Sequence, residues 1–124
     1  MMLMKCNINK QDRYTVVKVE EDKLNSQVAP ELKAQFVYMN GKDVKNIIVD
    51  LGAVKYCDSS GLSAILVGNR LCKNAKGSFV ITGLQEAVKK LISISQLDTV
   101  LTITPTIQEA TDIVLMDEIE RDIE

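Results

Sequence analysis

Apolar and polar positions change their period several times along the chain, and each change predicts an element. "MKCNINK" and "YTVVKVE" carry alternating or β-branched apolar residues, with the polar "QDR" between them. That pattern predicts an antiparallel strand pair over residues 3–9 and 14–19. From Asn25 the spacing becomes helical. Val28, Leu32, Phe36 and Met39 recur on one face, Asn25 or Ser26 is placed to cap, Pro30 suits the first turns, and Asn40–Gly41 suits the end. In "VKNIIVDLG" the run Ile47, Ile48, Val49 has no alternation, as in a central strand covered on both faces.

A second helix follows, with Leu62, Ile65, Leu66 and Asn69 on one face, ending near Lys73–Gly77 where lysines suit the negative end of the helix dipole. "SFVIT" is the next strand, "QEAVKKLISIS" a third helix through Val88, Leu91 and Ile92, and "TVLTI" a short strand over residues 99–103. Thr106 and Glu109 have capping-box spacing for a last helix that turns Ile107, Ala110, Val114 and Met116 inward. "DEIERDIE" is expected to be its solvated end, with residues 117–124 frayed. Strand-helix-strand units demand right-handed crossovers and parallel pairing. The expectation is therefore an α/β fold: a mixed, mostly parallel five-stranded sheet with about four helices, in one domain spanning 1–124.

Composition narrows the chemistry. The chain has 124 residues, 46% hydrophobic and 26% charged, with no Trp and only 4% aromatics, so one aliphatic core is expected. A formal charge of -2 offers no general attraction to nucleic acid or anionic lipid. Cys6, Cys57 and Cys72 are odd in number and widely spaced, which reads as reduced, mostly buried thiols and not a metal or disulfide framework. The first four residues are too short for the apolar region of a secretory signal, and no run approaches membrane-spanning length, so the cytoplasm is expected. The chain has no histidine, which removes Ser-His-Asp and Cys-His catalysis and the usual zinc sites.

The stretch "YCDSSGLSA" breaks the apolar pattern between the central strand and the second helix. Chemistry in open α/β sheets gathers at that edge. Asp58, Ser59, Ser60 and Gly61 also suit a helix start, because Asp and Ser oxygens accept from free backbone N–H groups. A nucleophile elbow would need glycines two residues either side of Ser60, where Asp58 and Leu62 stand. A phosphate-binding loop would need Gly-Lys-Ser/Thr, absent after Gly61 and Gly68. Regulatory phosphorylation fits better: a phosphate beside a helix N-terminus is tolerated by the fold and repels a docked partner. On these grounds Ser59 and Ser60 are equivalent.

"IIVDLGAVKYCDSSGLSAILVGNR" together with "GSFVITGLQEAVKKLISISQLDTVL" resembles the STAS domain of the anti-sigma factor antagonist type, over about Tyr14 to Val114. Asp58–Leu62 is the specific block. The resemblance implies a small STAS-like fold and a partner switch. The unphosphorylated antagonist binds an anti-sigma factor that is also a serine kinase, phosphorylation releases it, and a PP2C-type phosphatase restores it. It places the acceptor at Ser59, with Asp58, Ser60, Gly61 and Leu62 as acceptor loop and partner contact. Many members carry Gly-x-Leu-Asp before the first helix, where this chain has Asp22, Lys23, Leu24 and Asn25. The segment from Glu20 to Asn25 commonly lies near the acceptor loop in this fold, so Asp22, Leu24 and Asn25 are candidate partner contacts. No enzymatic activity, cofactor, metal, direct nucleic-acid contact or membrane insertion is expected, and the free protein is expected to be a monomer. The alternative is a constitutive adaptor, since STAS domains also serve as subunits of lipid-transport or sensory complexes.

Overall fold

A computed structural model describes residues 4–123. The chain runs β1 (Cys6–Lys10), β2 (Thr15–Val19), β3 (Lys23–Leu24), α1 (Ala29–Gly41), β4 (Ile47–Asp50), β5 (Tyr56–Cys57), α2 (Ser59–Asn74), β6 (Phe79–Thr82), α3 (Glu86–Ile94), β7 (Thr102–Thr104) and α4 (Ile107–Ile123). Five strands form a sheet in the order β1-β2-β4-β6-β7, antiparallel between β1 and β2 and parallel elsewhere. Fold class and helix number agree with the sequence reading. Leu3 and Glu124, assigned above to a strand and a helix end, lie outside the described residues.

The non-alternating run in β4 has a direct explanation. Ile47 and Val49 enter a large core with Val17, Leu32, Phe36, Ile65, Phe79 and Ile81, while Ile48 turns to the other face and packs with Val80, Ala110 and Val114. A strand covered on both faces has no solvent side to mark with polar residues. α1, α2 and α3 supply the larger core, whereas α4 supplies the helical residues of the smaller one. In the larger core Phe36 of α1 meets Phe79 of β6 edge to face, with centroids 5.5 Å apart at 82°. Gly68 of α2 lies against both rings; a Cβ there would sit 2.6 Å from Phe79 and 2.8 Å from Phe36. Its lack of a side chain lets α2 approach that closely.

Four local expectations change. First, α1 starts at Ala29 with Val28 at its cap and no side-chain cap bond. Asn25 instead closes a preceding turn: its Oδ1 accepts from the Gln27 N–H and its carbonyl from the N–H groups of Val28 and Ala29. The delay follows from β3, which keeps Lys23 and Leu24 extended through parallel pairing with Tyr56 and Cys57. Second, α1 includes Gly41 and terminates through Asp43 at φ +63. Third, a 3-10 turn at Leu97–Thr99 shifts the last strand to Thr102–Thr104.

The fourth change is in α4. Thr106 Oγ1 accepts from the Glu109 N–H at 3.2 Å, as the capping spacing requires. Ala110 and Val114 point inward, but Ile107 and Met116 are 41% and 56% exposed. Met116 lies about 200° around the helix from Val114, which turns it to solvent. The expected frayed end is instead helical through Ile123 and anchored. The Ser78 hydroxyl donates to Asp117 at 2.8 Å and accepts from the Arg121 guanidinium at 2.7 Å, and Arg121 also pairs with Glu118. Ser78 is 1% exposed, so α4 satisfies a polar group that burial would otherwise strand.

Truncating Phe36→Ala should destabilise the domain by about 3–5 kcal/mol, and Gly68→Ala by about 1–3 kcal/mol through overpacking. Urea unfolding followed by circular dichroism measures both; a neutral Gly68→Ala would show that α2 can move away from the rings.

Candidate functional site

The polar stretch between β4 and α2 folds as a strapped loop. β5 is only two residues long, and it persists because it pairs with β3: Lys23 faces Tyr56 and Leu24 faces Cys57. The Asp22 carbonyl accepts from the N–H groups of Lys55 and Tyr56, at 2.7 and 3.1 Å, and the Leu24 carbonyl accepts from the Asp58 N–H at 3.2 Å. The segment before α1 and the loop before α2 are therefore one surface.

Asp58 is the N-cap of α2 in extended conformation, and its Oδ1 accepts from the Gly61 N–H at 3.1 Å. This satisfies one of the free donors at the helix start. Ser59 then occupies the first helical position and Ser60 the second; Ser59 is exposed and Ser60 half-buried. Neither hydroxyl is needed as the cap. An open hollow of about 320 Å³ in front of them is shared with Pro30 and Lys33 of α1 and Ser63 of α2. A larger polar hollow of about 430 Å³, lined by Arg13 and Lys45 among others, lies at the start of β2 and β4, the other end of the strands.

Gly61 is fixed by close approach. A Cβ at this position would run into the Leu24 carbonyl oxygen and lie 2.6 Å from Cys57 Sγ. Leu24 and Leu62 are core residues, 0% and 6% exposed, so a partner cannot use their side chains as contact surface without local opening. Both were expected to be partner contacts; in the structure their side chains hold the loop from beneath. Gly61 is buried as well, while Asp22 and Asp58 are exposed and Asn25 half-buried. Two surface residues were missed in the sequence: Tyr56, 60% exposed beside the loop, and Lys33 across the hollow. Tyr56 stands in a strand too short for period-2 alternation to reveal its outward side. Lys33 belongs to a different helix and carried no local signal.

The cysteines carry little nucleophilic character. Burial, then the Asp58 charge, pushes the Cys57 thiol up to about 12, and its Sγ donates to the Asp58 carbonyl at 3.4 Å. Cys72 is also pushed up to about 12, by burial and against the opposing influence of Lys73. Burial, then Glu20 and Glu31, raises Cys6. Among the described residues no group of three or more His, Cys, Asp or Glu side chains converges to hold a metal, and no helix is long and apolar enough to cross a membrane.

The model of the STAS domain family matches residues 5–110. A Bordetella bronchiseptica protein that carries a provisional name as the anti-sigma factor antagonist BtrV is 28% identical over 72 residues, 58% of this chain and 62% of that protein. The match thus spans less than two thirds of that curated relative. A crystal structure from Thermotoga maritima, also named provisionally as an anti-sigma factor antagonist, superposes with a TM-score of 0.79 at 27% identity over 88% of this chain and 93% of the other. The Bacillus cell fate determinant SpoIIAA, solved in its phosphorylated form, shares the fold at a TM-score of 0.69 and 19% identity, covering 89% of this chain and 99% of its own.

Two measurements check this geometry. Gly61→Ala should cost more stability than Asp58→Ala, whose lost cap is worth about 1 kcal/mol; equal costs would mean that the Leu24 carbonyl yields readily. With a pKa near 12, Cys57 at pH 8 exposes about one thiolate in ten thousand, against roughly one in ten for an unperturbed thiol. Iodoacetamide should therefore label native Cys57 at least about a hundredfold more slowly than the urea-unfolded chain at that pH. Similar rates would contradict its half-buried, protonated state.

Proposed function

Because the chain belongs to the STAS domain family, we propose that it is a partner-switching module whose Ser59 surface binds an anti-sigma factor with serine-kinase activity and releases it on phosphorylation. The observation that carries this reading is the placement of Ser59: exposed, first in α2, and free of the capping duty that Asp58 performs. The kinase transfers the γ-phosphoryl group of ATP to Ser59 Oγ. The Oγ–P bond forms, the bond to the β-phosphate oxygen breaks, and the hydroxyl proton passes to a base on the kinase. A PP2C-type phosphatase reverses the modification by hydrolysis, giving back the serine and inorganic phosphate.

The charge of about -1.5 to -2 that arrives with the phosphate sits near the positive end of the α2 dipole, with Lys33 lining the same hollow. It adds to the negative charge of Asp58 on the exposed surface. A docked partner complementary to the neutral serine would meet both repulsion and the cost of desolvating a dianion, while the core beneath is untouched. That SpoIIAA has been solved both unphosphorylated and phosphorylated supports the view that this fold tolerates the modification. In this reading Ser60 is a helix-start residue, and Asp22, Asn25, Tyr56 and Asp58 are the exposed or half-exposed surface beside the acceptor. The module is a single domain without catalytic residues, cofactor or metal of its own. It acts as a monomer in the cytoplasm and does not touch nucleic acid.

Incubation with ATP and an anti-sigma factor kinase from the same genome, followed by peptide mass spectrometry, should find one phosphate on Ser59. Ser60→Ala should still be modified and Ser59→Ala should not. Ser59→Asp should bind the kinase at least about tenfold more weakly. Modification at Ser60 would move the acceptor, and unchanged binding by Ser59→Asp would overturn the switch in favour of a constitutive adaptor.

A further inference from the structure

α4 has two faces of opposite character. Its inner face packs Ala110 and Val114 on the sheet and sends Asp117 and Arg121 to the buried Ser78. Its outer face carries Met116, Ile119 and Ile123, which are 56%, 54% and 80% exposed. Their spacing of three and then four residues aligns them in one stripe, on the side of the helix turned away from the sheet. Single exposed apolar residues are ordinary, but three in line on one helix have the pattern of groove-docking anchors.

The charges around the stripe limit what can cover it. Glu109, Asp112, Glu120 and Asp122 are all exposed on this helix, and its one cation, Arg121, is turned toward Ser78 and Glu118. A second copy of the chain would bring the same acids against their own kind. An anionic bilayer would be repelled for the same reason. A helix with apolar anchors flanked by lysine or arginine satisfies both the stripe and its border.

We propose that the outer face of α4 is a docking surface for a basic amphipathic helix of a partner protein. The site is separate from Ser59. α4 covers one face of the sheet, whereas α2, which carries Ser59, packs with α1 and α3 on the other. A partner at α4 and one at Ser59 can therefore be held at once, which makes the domain a bridge. This inference does not depend on Ser59 being modified.

The test uses the full chain and a designed helical peptide of leucine and lysine, its leucines spaced to meet Met116, Ile119 and Ile123, with a scrambled peptide of the same composition. In amide NMR titrations the designed peptide should shift α4 resonances saturably and bind at least about tenfold more tightly than the scrambled one. The triple variant Met116→Ser, Ile119→Ser, Ile123→Ser should bind at least about tenfold more weakly, as should Asp112→Lys with Glu120→Lys, which keeps the stripe and reverses its border. All five positions are solvent-exposed, so the unfolding midpoints should match the parent. Affinity should fall as salt rises from about 50 to about 500 mM. Equal binding of the scrambled peptide, unchanged affinity in either variant, or shifts centred away from α4 would overturn the proposal. So would sedimentation showing that the free chain self-associates through the stripe, or co-sedimentation with phosphatidylglycerol vesicles.

Discussion

Asp58 is gripped at two points, and the candidate surface depends on that grip. Its N–H is bound by the Leu24 carbonyl and its carboxylate by the Gly61 N–H, so one residue joins the β3 segment to the first turn of α2. The two bonds act on different parts of the loop. The first fixes where the chain leaves β5, and the second fixes the direction in which α2 sets off. With both made, Ser59 has no structural task and faces outward. Gly61 allows the grip to close, because any side chain there would collide with the carbonyl that holds Asp58.

Beneath this loop the sheet supplies rigidity. β4 and β6 are buried on both faces, each sending alternate residues into two separate cores. The larger core is closed by the Phe36–Phe79 contact and by the close passage of α2 at Gly68. Since α2 begins at Ser59 and passes those rings at Gly68, about two and a half turns later, packing at its middle constrains where its first turn can stand. The surface at Ser59 is thus held by a covalently continuous rigid body and not by loop contacts alone.

The order of strands and helices along the chain, the mostly parallel pairing and the strand-to-helix setting of Asp58–Leu62 were legible because each rests on periodicity or on local helix-start chemistry. Ile47–Val49 announced a strand buried on both faces, and Ala110 with Val114 announced the inner face of α4. What escaped depends on residues distant in the chain. No pattern in "DKL" or "KYC" marks a strand, since two-residue strands have no period; β3 and β5 exist through each other. The same pairing displaced the start of α1 and took Leu24 into the core. The terminal helix looked solvated because its acids dominate locally, yet Ser78, far away in sequence, anchors Asp117 and Arg121. The choice between Ser59 and Ser60 followed only from resemblance; the structure adds that Asp58 caps α2 and that Ser59 is exposed where Ser60 is half-buried.

The strap between β3 and β5 also sets what kind of object the Ser59 surface is. Asp22, Asn25 and Tyr56 reach it from two stretches of chain, and the hollow adds Lys33 from a third. Such a surface is a conformational epitope. It is absent from a synthetic peptide spanning Ser59 and vanishes when the domain unfolds, so any protein that reads it is also testing whether the chain has folded.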